Sequence, residues 1–101
     1  MIVINVKIET NPGTVAAMKQ AIATMEKASR AEAGCIEYVF ATEISDPTSI
    51  RIVEHWASID ALKTHFGLPH MATFREAISK TPPKSMVAKM FDAKELPFPP
   101  Q

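Results

Sequence analysis

The chain has 101 residues, of which 47% are hydrophobic and 22% charged, a size and balance typical of one folded domain and not of a disordered segment. Eleven basic and eleven acidic residues give a formal net charge of zero, so no surface for nucleic acid is expected. The single cysteine excludes an internal disulfide. Since the first residues contain no long apolar run, neither a signal peptide nor a membrane span is expected, and we predict a cytoplasmic protein.

Residues 2–31 predict a strand followed by a helix. Over residues 2–9 apolar side chains alternate with more polar ones, which is the period of a strand. The turn sequence at residues 11–13 follows, and Thr14 is a candidate helix N-cap. From Thr14 to about Ala31, methionine, isoleucine and alanine recur at three- and four-residue spacing. This is the pattern of an amphipathic helix that buries one face.

Two strands are predicted next. Residues 35–43 are rich in β-branched and aromatic side chains and end at a turn, residues 45–47. Residues 50–56 alternate, which places Glu54 on the same face as Trp56 and the isoleucines of this strand. A carboxylate on an otherwise apolar face needs a partner. We expect an imidazole from the segment that follows to supply it.

Two short helices and a last strand complete the pattern. Ser58 is expected to cap a helix that Gly67 ends, and Pro69 is expected to begin a second helix. A strand at about residues 84–93 follows. The proline-rich tail at residues 96–101 cannot form regular structure.

The predicted order is β-α-β-β-α-β with the second helix broken, which is the ferredoxin-like α+β pattern in one domain, residues 1–101. Both helices should cover one face of a four-stranded antiparallel sheet. The opposite face also carries apolar residues, where a face open to water would be more polar. The residues assigned to it are Val3, Cys35, Val39, Ala41 and Val53. We therefore predict a homodimer whose two sheets pack face to face.

Most groups that could transfer protons near neutral pH lie between Glu54 and His70. His65 falls at the edge of the buried stripe of the first short helix, and His70 in the first turn of the second. These three residues are the candidate catalytic groups. For each histidine a purely structural role is the alternative. Since the two histidines are five positions apart across a helix break and match no metal-binding motif, no metal site is predicted.

Several motifs are recognisable together. Residues 32–38 (Glu-Ala-Gly-Cys-Ile-Glu-Tyr), the triplet Glu54-His55-Trp56, and the run from Ser58 to Pro69-His70 resemble the antibiotic biosynthesis monooxygenase (ABM) domain family. The chain is particularly similar to the small quinol monooxygenases of that family. The likeness covers nearly the whole chain and is most specific from Glu54 to Phe74. It implies a dimeric α+β barrel built from ferredoxin-like protomers.

The resemblance also implies a function, a monooxygenase that oxidises a small aromatic quinol- or phenol-like substrate with O₂ and no cofactor. His65 or His70 would take a proton from the substrate in an apolar pocket, and Glu54 would orient one imidazole. The implied substrate-binding residues are Trp56, Tyr38, Phe66 and Phe74. Two alternatives stay open. One is an isomerase or lyase that acts on a small signalling metabolite with the same acid–base residues, and the other is a non-catalytic dimeric ligand-binding module.

Overall fold

The computed structural model describes all 101 residues and contains four strands and three helices. The strands are β1 (Ile2–Glu9), β2 (Cys35–Glu43), β3 (Asp46–Trp56) and β4 (Ser85–Asp92). The helices are α1 (Thr14–Arg30), α2 (Ile59–Phe66) and α3 (Pro69–Lys80). All strand pairs are antiparallel, and the sheet order is β2-β3-β1-β4. The predicted ferredoxin-like α+β arrangement, with its second helix broken, is confirmed.

The core lies between one face of the sheet and the helices. The buried apolar residues of β1 and β3 are Ile2, Ile4, Val6, Ile8, Ile50, Ile52 and Trp56. Met25 of α1 and Leu62 of α2 pack against them. Burial of every second residue of β1 follows from the two-residue period of a strand, so the alternation in the sequence determined which face is covered.

The β2–β3 hairpin departs from the predicted pattern at both ends. Cys35 and Glu37 pair with successive residues of β3, so a β-bulge accommodates Ile36 between them. Cys35 therefore packs against the core, whereas Ile36 is 58% exposed. The assignment of Cys35 to the outer face is wrong, because one extra residue reverses the side-chain alternation. At the other end β3 already begins at Asp46, so the chain reverses earlier than predicted.

The helix ends mostly follow the predicted signals. The Ser58 hydroxyl accepts a hydrogen bond from a backbone N–H of α2 at 3.1 Å, and Gly67 is the C-cap. Pro69 is the first residue of α3. At α1 the prediction is wrong by one residue, because Gly13 occupies the N-cap and Thr14 is already helical. None of the three helices is both long enough and apolar enough to cross a membrane.

Gly34 lets α2 approach the sheet closely. Its φ is +85°, and a Cβ added there would lie 2.7 Å from the Cβ of Ala61. We expect Gly34→Ala to lower the free energy of unfolding for two reasons. The left-handed backbone costs about 1–2 kcal/mol with a side chain present, and the overlap of the new Cβ with α2 adds a further cost. Gly13→Ala is the matched control, because its φ is +88° and its Cβ would meet nothing within 4 Å. Urea denaturation of both variants checks this, and equal losses would contradict it.

Candidate active site

Three side chains from three parts of the chain meet at one point. Glu32 lies in the turn between α1 and β2, His65 at the end of α2, and His70 at the start of α3. Glu32 Oε2 is 2.6 Å from His65 Nδ1 and 2.7 Å from His70 Nε2. We call Glu32, His65 and His70 the triad. Since an ionised carboxylate only accepts hydrogen bonds, both imidazoles donate to it. In the neutral form of each ring, Nε2 of His65 and Nδ1 of His70 are then the nitrogens that can accept a proton.

The triad is shielded unequally from solvent. The side chains of His65 and Glu32 are 2% and 8% exposed, whereas that of His70 is 18% exposed. The centroid of the His65 ring lies 4.5 Å from that of the Trp56 ring and 5.5 Å from that of the Tyr38 ring. His65 is therefore enclosed by aromatic rings, and His70 is the imidazole that a ligand can reach.

The break between α2 and α3 brings the two histidines together. In an unbroken helix, residues five positions apart point about 140° away from each other. Here Gly67 ends α2 and Pro69 starts α3, and the chain changes direction between them. The centroids of the His65 and His70 imidazole rings consequently lie 5.7 Å apart. At this distance both rings can reach the same carboxylate oxygen.

Glu54 has a different partner from the one predicted. Its Oε1 accepts a hydrogen bond from Trp56 Nε1 at 3.0 Å, and both histidines bind Glu32 instead. The predicted hydrogen bond between Glu54 and an imidazole is therefore wrong. Burial raises the pKa of the Glu54 carboxyl, and this effect outweighs the Trp56 hydrogen bond and the nearby His65, which act to lower it.

Glu32 is a site residue that the sequence did not predict. It lies 33 positions before His65, so no helical or strand spacing connects the two residues. The only feature of the sequence that points to Glu32 is the motif at residues 32–38. This motif indicates the family and by itself gives Glu32 no role. Acidic residues in turns are common, and nothing in the local pattern distinguishes this one.

A cleft of about 780 Å³ lies between α1 and α3 and adjoins the triad. We call it the α1–α3 cleft. Met18 and Met25 of α1 and Phe74 of α3 form apolar parts of its wall, and His70 is part of its lining. The cleft is of a size that suits a small organic ligand. Its only contact with the triad is through His70.

The four aromatic residues considered for substrate binding occupy different positions. Phe74 lines the α1–α3 cleft. Tyr38 and Trp56 are buried around His65 and do not line it. Burial, followed by the charge of the nearby Glu54, raises the pKa of the Tyr38 hydroxyl. Phe66 is half-exposed, with its ring 5.6 Å from that of His65.

The triad also presents three atoms of the kind that bind metals, all within 4.8 Å of one another. Donors on a tetrahedral zinc ion stand about 2.0–2.2 Å from the metal, and hence about 3.3 Å from each other. The distances of 2.6 and 2.7 Å in the triad are those of hydrogen bonds. A metal bound by all three atoms would therefore require Glu32 Oε2 to move about 0.6 Å away from each imidazole.

The buried carboxyl of Glu54 leads to a prediction on stability. Since folding raises its pKa, the native state binds this proton more tightly, and stability falls as pH rises from about 4, the usual range for Glu, through the folded pKa. Glu54→Gln keeps an oxygen that accepts from Trp56 and removes the charge. We expect this variant to be more stable than the parent at pH 7, with the difference vanishing near pH 4.

Denaturant unfolding from pH 4 to 7 tests this prediction. Glu95→Gln removes the same charge from an exposed position and serves as the control, with no comparable gain expected. A Glu54→Gln protein that is no more stable than the parent at pH 7 would show that the Glu54 charge is not a cost to the fold.

Solved structures with the same fold superpose on almost the whole length of this chain. A Deinococcus radiodurans protein, provisionally assigned as an antibiotic biosynthesis monooxygenase, superposes with a TM-score of 0.86 at 24% identity, over 95% of each chain. A Nitrosomonas europaea protein with the same provisional assignment has a TM-score of 0.86 at 18% identity, over 92% of this chain and 98% of its own. A conserved Bacteroides thetaiotaomicron protein of unknown function has a TM-score of 0.80 at 23% identity, over 89% and 94%. At these identities the likeness establishes the fold.

The family is established by the sequence match. Comparison with curated proteins finds no match. Residues 1–77, from β1 into α3, match the model of the family described as antibiotic biosynthesis monooxygenase. This segment contains Glu32, His65 and His70 with the elements that position them. The chain belongs to the antibiotic biosynthesis monooxygenase family.

Proposed function

We propose that this protein is a cofactor-independent monooxygenase that oxidises a small aromatic quinol- or phenol-like substrate with O₂. The observation that carries the proposal is the position of His70. Its Nε2 forms a hydrogen bond with the buried carboxylate of Glu32, and its ring borders an apolar cleft. An imidazole held in this way by a carboxylate is a suitable general base near neutral pH.

In the proposed reaction, Nδ1 of His70 takes the proton of the substrate hydroxyl, and Glu32 stabilises the imidazolium that forms. The phenolate then transfers one electron to O₂, and the two resulting radicals combine to form a carbon–oxygen bond. The imidazolium of His70 returns its proton to the peroxide. The ring carbon that carries the hydroperoxide then loses its hydrogen as a proton while the O–O bond breaks, which forms the second carbonyl of the quinone, and the hydroxide that leaves takes up a proton to become water. One atom of O₂ enters the product and the other enters water. The substrate supplies all the electrons, so the proposal needs neither metal nor flavin.

In the proposed mechanism, the remaining site residues position His70 and shield the triad from water. His65 is a positioning residue, because it is buried and donates to the same Glu32 oxygen as His70. Glu54 holds the indole of Trp56 against the His65 ring. Together they exclude water from the rear of the triad, which strengthens its electrostatic interactions. Phe74 is the aromatic residue that would contact the substrate ring.

We also propose that the functional unit is a homodimer. The outer face of the sheet carries apolar side chains that no helix covers, and on β4 Val87 and Phe91 are 54% and 49% exposed. Val39 and Val53 pair next to each other on the same face. A second copy that packs its sheet against this one would remove these side chains from water. Light scattering should give about twice the monomer mass of 11.1 kDa, and a monomer at micromolar concentration would contradict the proposal.

An oxygen electrode tests the activity. The purified protein, with and without chelator treatment, is mixed with hydroquinones, naphthols or anthrone, and O₂ uptake is compared with that of the His70→Ala variant. We expect uptake that survives the chelator and a product that carries one atom from ¹⁸O₂. Turnover that proceeds equally well under argon would point to an isomerase or lyase, and loss of turnover with the chelator would contradict cofactor independence.

A further inference from the structure

We propose that the α1–α3 cleft binds an anionic group of the substrate through Lys80, at the end opposite His70. The preferred substrate is then a phenol or quinol that carries a carboxylate, and Lys80 is the residue that selects it. This inference rests on the proposed oxygenation, to which it adds a class of substrate.

The cleft has two distinct ends because its lining runs along the length of α1 and α3. His70, Phe74 and Lys80 all line it, in this order along α3. At the far end, Thr14 at the start of α1 shares a smaller cavity with Thr81, just after α3. Ten residues separate His70 from Lys80, which corresponds to about 15 Å along the helix. A ligand seated at His70 can therefore extend along the cleft toward Lys80.

The charges in the cleft are complementary to an anion. Its lining contains two ionisable side chains, His70 and Lys80, and no carboxylate. Lys80 forms no ion pair with any residue of the chain. The wall between these two residues includes apolar side chains such as Phe74 and Ala77. A ligand with an apolar body and one terminal negative charge matches this distribution.

Two further features at the Lys80 end support this assignment. Thr81 lines this end of the cleft, and its buried hydroxyl has no hydrogen-bond partner within the chain. The first turn of α1 lies at the same end and contains no acidic residue. The positive end of the α1 dipole and the negative end of the α3 dipole both lie here, so the helix termini alone do not determine the sign, and Lys80 supplies the positive charge.

The separation of the two ends restricts the length of the substrate. Because the lysine side chain is flexible, the carboxylate should stand about 10–15 Å from the hydroxyl that His70 deprotonates, as estimated from the helical rise. A single-ring phenolic acid is too short to reach both groups. Multi-ring phenols, or phenols with an acyl side chain, have the required length.

Calorimetry with an unreactive probe tests the site separately from the chemistry. 4-(2-Naphthyl)butanoate has an apolar body and a carboxylate but no phenolic hydroxyl, and its methyl ester is the neutral counterpart. We expect the native protein to bind the acid at least fivefold more tightly than the ester at pH 8. Lys80→Gln should abolish this preference and Lys80→Glu should reverse it. Lys63→Gln, on α2 and outside the cleft, should leave the preference unchanged.

The outcomes separate the two proposals. Equal affinity for the acid and the ester, no measurable binding, or a preference that survives Lys80→Gln would overturn the Lys80 site, even if quinols are oxidised. A Lys80-dependent preference without O₂ uptake for any phenol would support the anion site and overturn the oxygenation. If both hold, the ratio of kcat/KM for a naphthol that carries the butanoate chain to kcat/KM for unsubstituted naphthol should fall at least fivefold in Lys80→Gln.

Discussion

Replacing His70 with alanine is expected to lower kcat for O₂-dependent oxidation by about 10²–10⁴-fold, the usual contribution of a general base. His70 is the only member of the triad that lines the α1–α3 cleft, so no other imidazole can take the substrate proton directly. The fold should survive, because the His70 side chain is 18% exposed and lies in the first turn of α3. Steady-state O₂ uptake at saturating substrate measures the loss, and circular dichroism verifies the fold.

His55→Ala is the matched control for this experiment. His55 lies on the outer face of the sheet, where it pairs with Glu37 at 3.4 Å, and it has no role in the proposed proton transfer. Because this face is also the proposed dimer contact, light scattering verifies that the variant keeps the oligomeric state of the parent. Its replacement should leave kcat within about twofold of the parent value, since the general base, which contributes about 10²-fold or more, is still present. If His70→Ala retained the parent rate, or if both variants lost it equally, His70 would not be the base.

Replacing Glu32 with glutamine is expected to lower kcat by about 10–100-fold and to leave KM nearly unchanged. Hydrogen bonds to a charged group contribute about 1.5–3 kcal/mol. The carboxylate is needed most when His70 carries the proton, that is, after the substrate has bound. A group that only supported the fold would instead change stability, or kcat and KM together. Glu32→Asp, which restores the charge on a shorter side chain, should recover part of the rate.

The chain contains a matched control for Glu32 as well. Glu37→Gln removes the carboxylate of the other Glu–His pair, which lies on the outer face of the sheet. That variant should keep the parent kcat once light scattering has verified the oligomeric state of the parent, because Glu37 lies on the face of the proposed dimer contact. Two observations would contradict the role of Glu32: a Glu32→Gln enzyme with unchanged kcat, or an Asp variant no more active than the Gln variant although both are folded.

Local patterns in the chain were sufficient to predict the architecture. Alternation over residues 2–9, the Ser58 cap, Gly67 and Pro69 each act through contacts within a few residues, and each produced the predicted element. The bulge at Ile36 was missed. It depends on how β2 pairs with β3, and residues 35–43 read alone are compatible with regular alternation.

The amino-acid pattern determined the order of the elements, the buried face of the sheet, and the presence of His65 and His70 on either side of a helix break. These properties follow from backbone preferences and side-chain periodicity, which are local. The partner of the two histidines was decided by packing. Glu54 and Glu32 are both carboxylates near this segment, and it is Glu32, two residues before the close contact of Gly34 with α2, that lies within hydrogen-bond distance of both rings. Contacts between residues more than thirty positions apart depend on the assembled core, so the one-dimensional pattern did not contain the geometry of the triad.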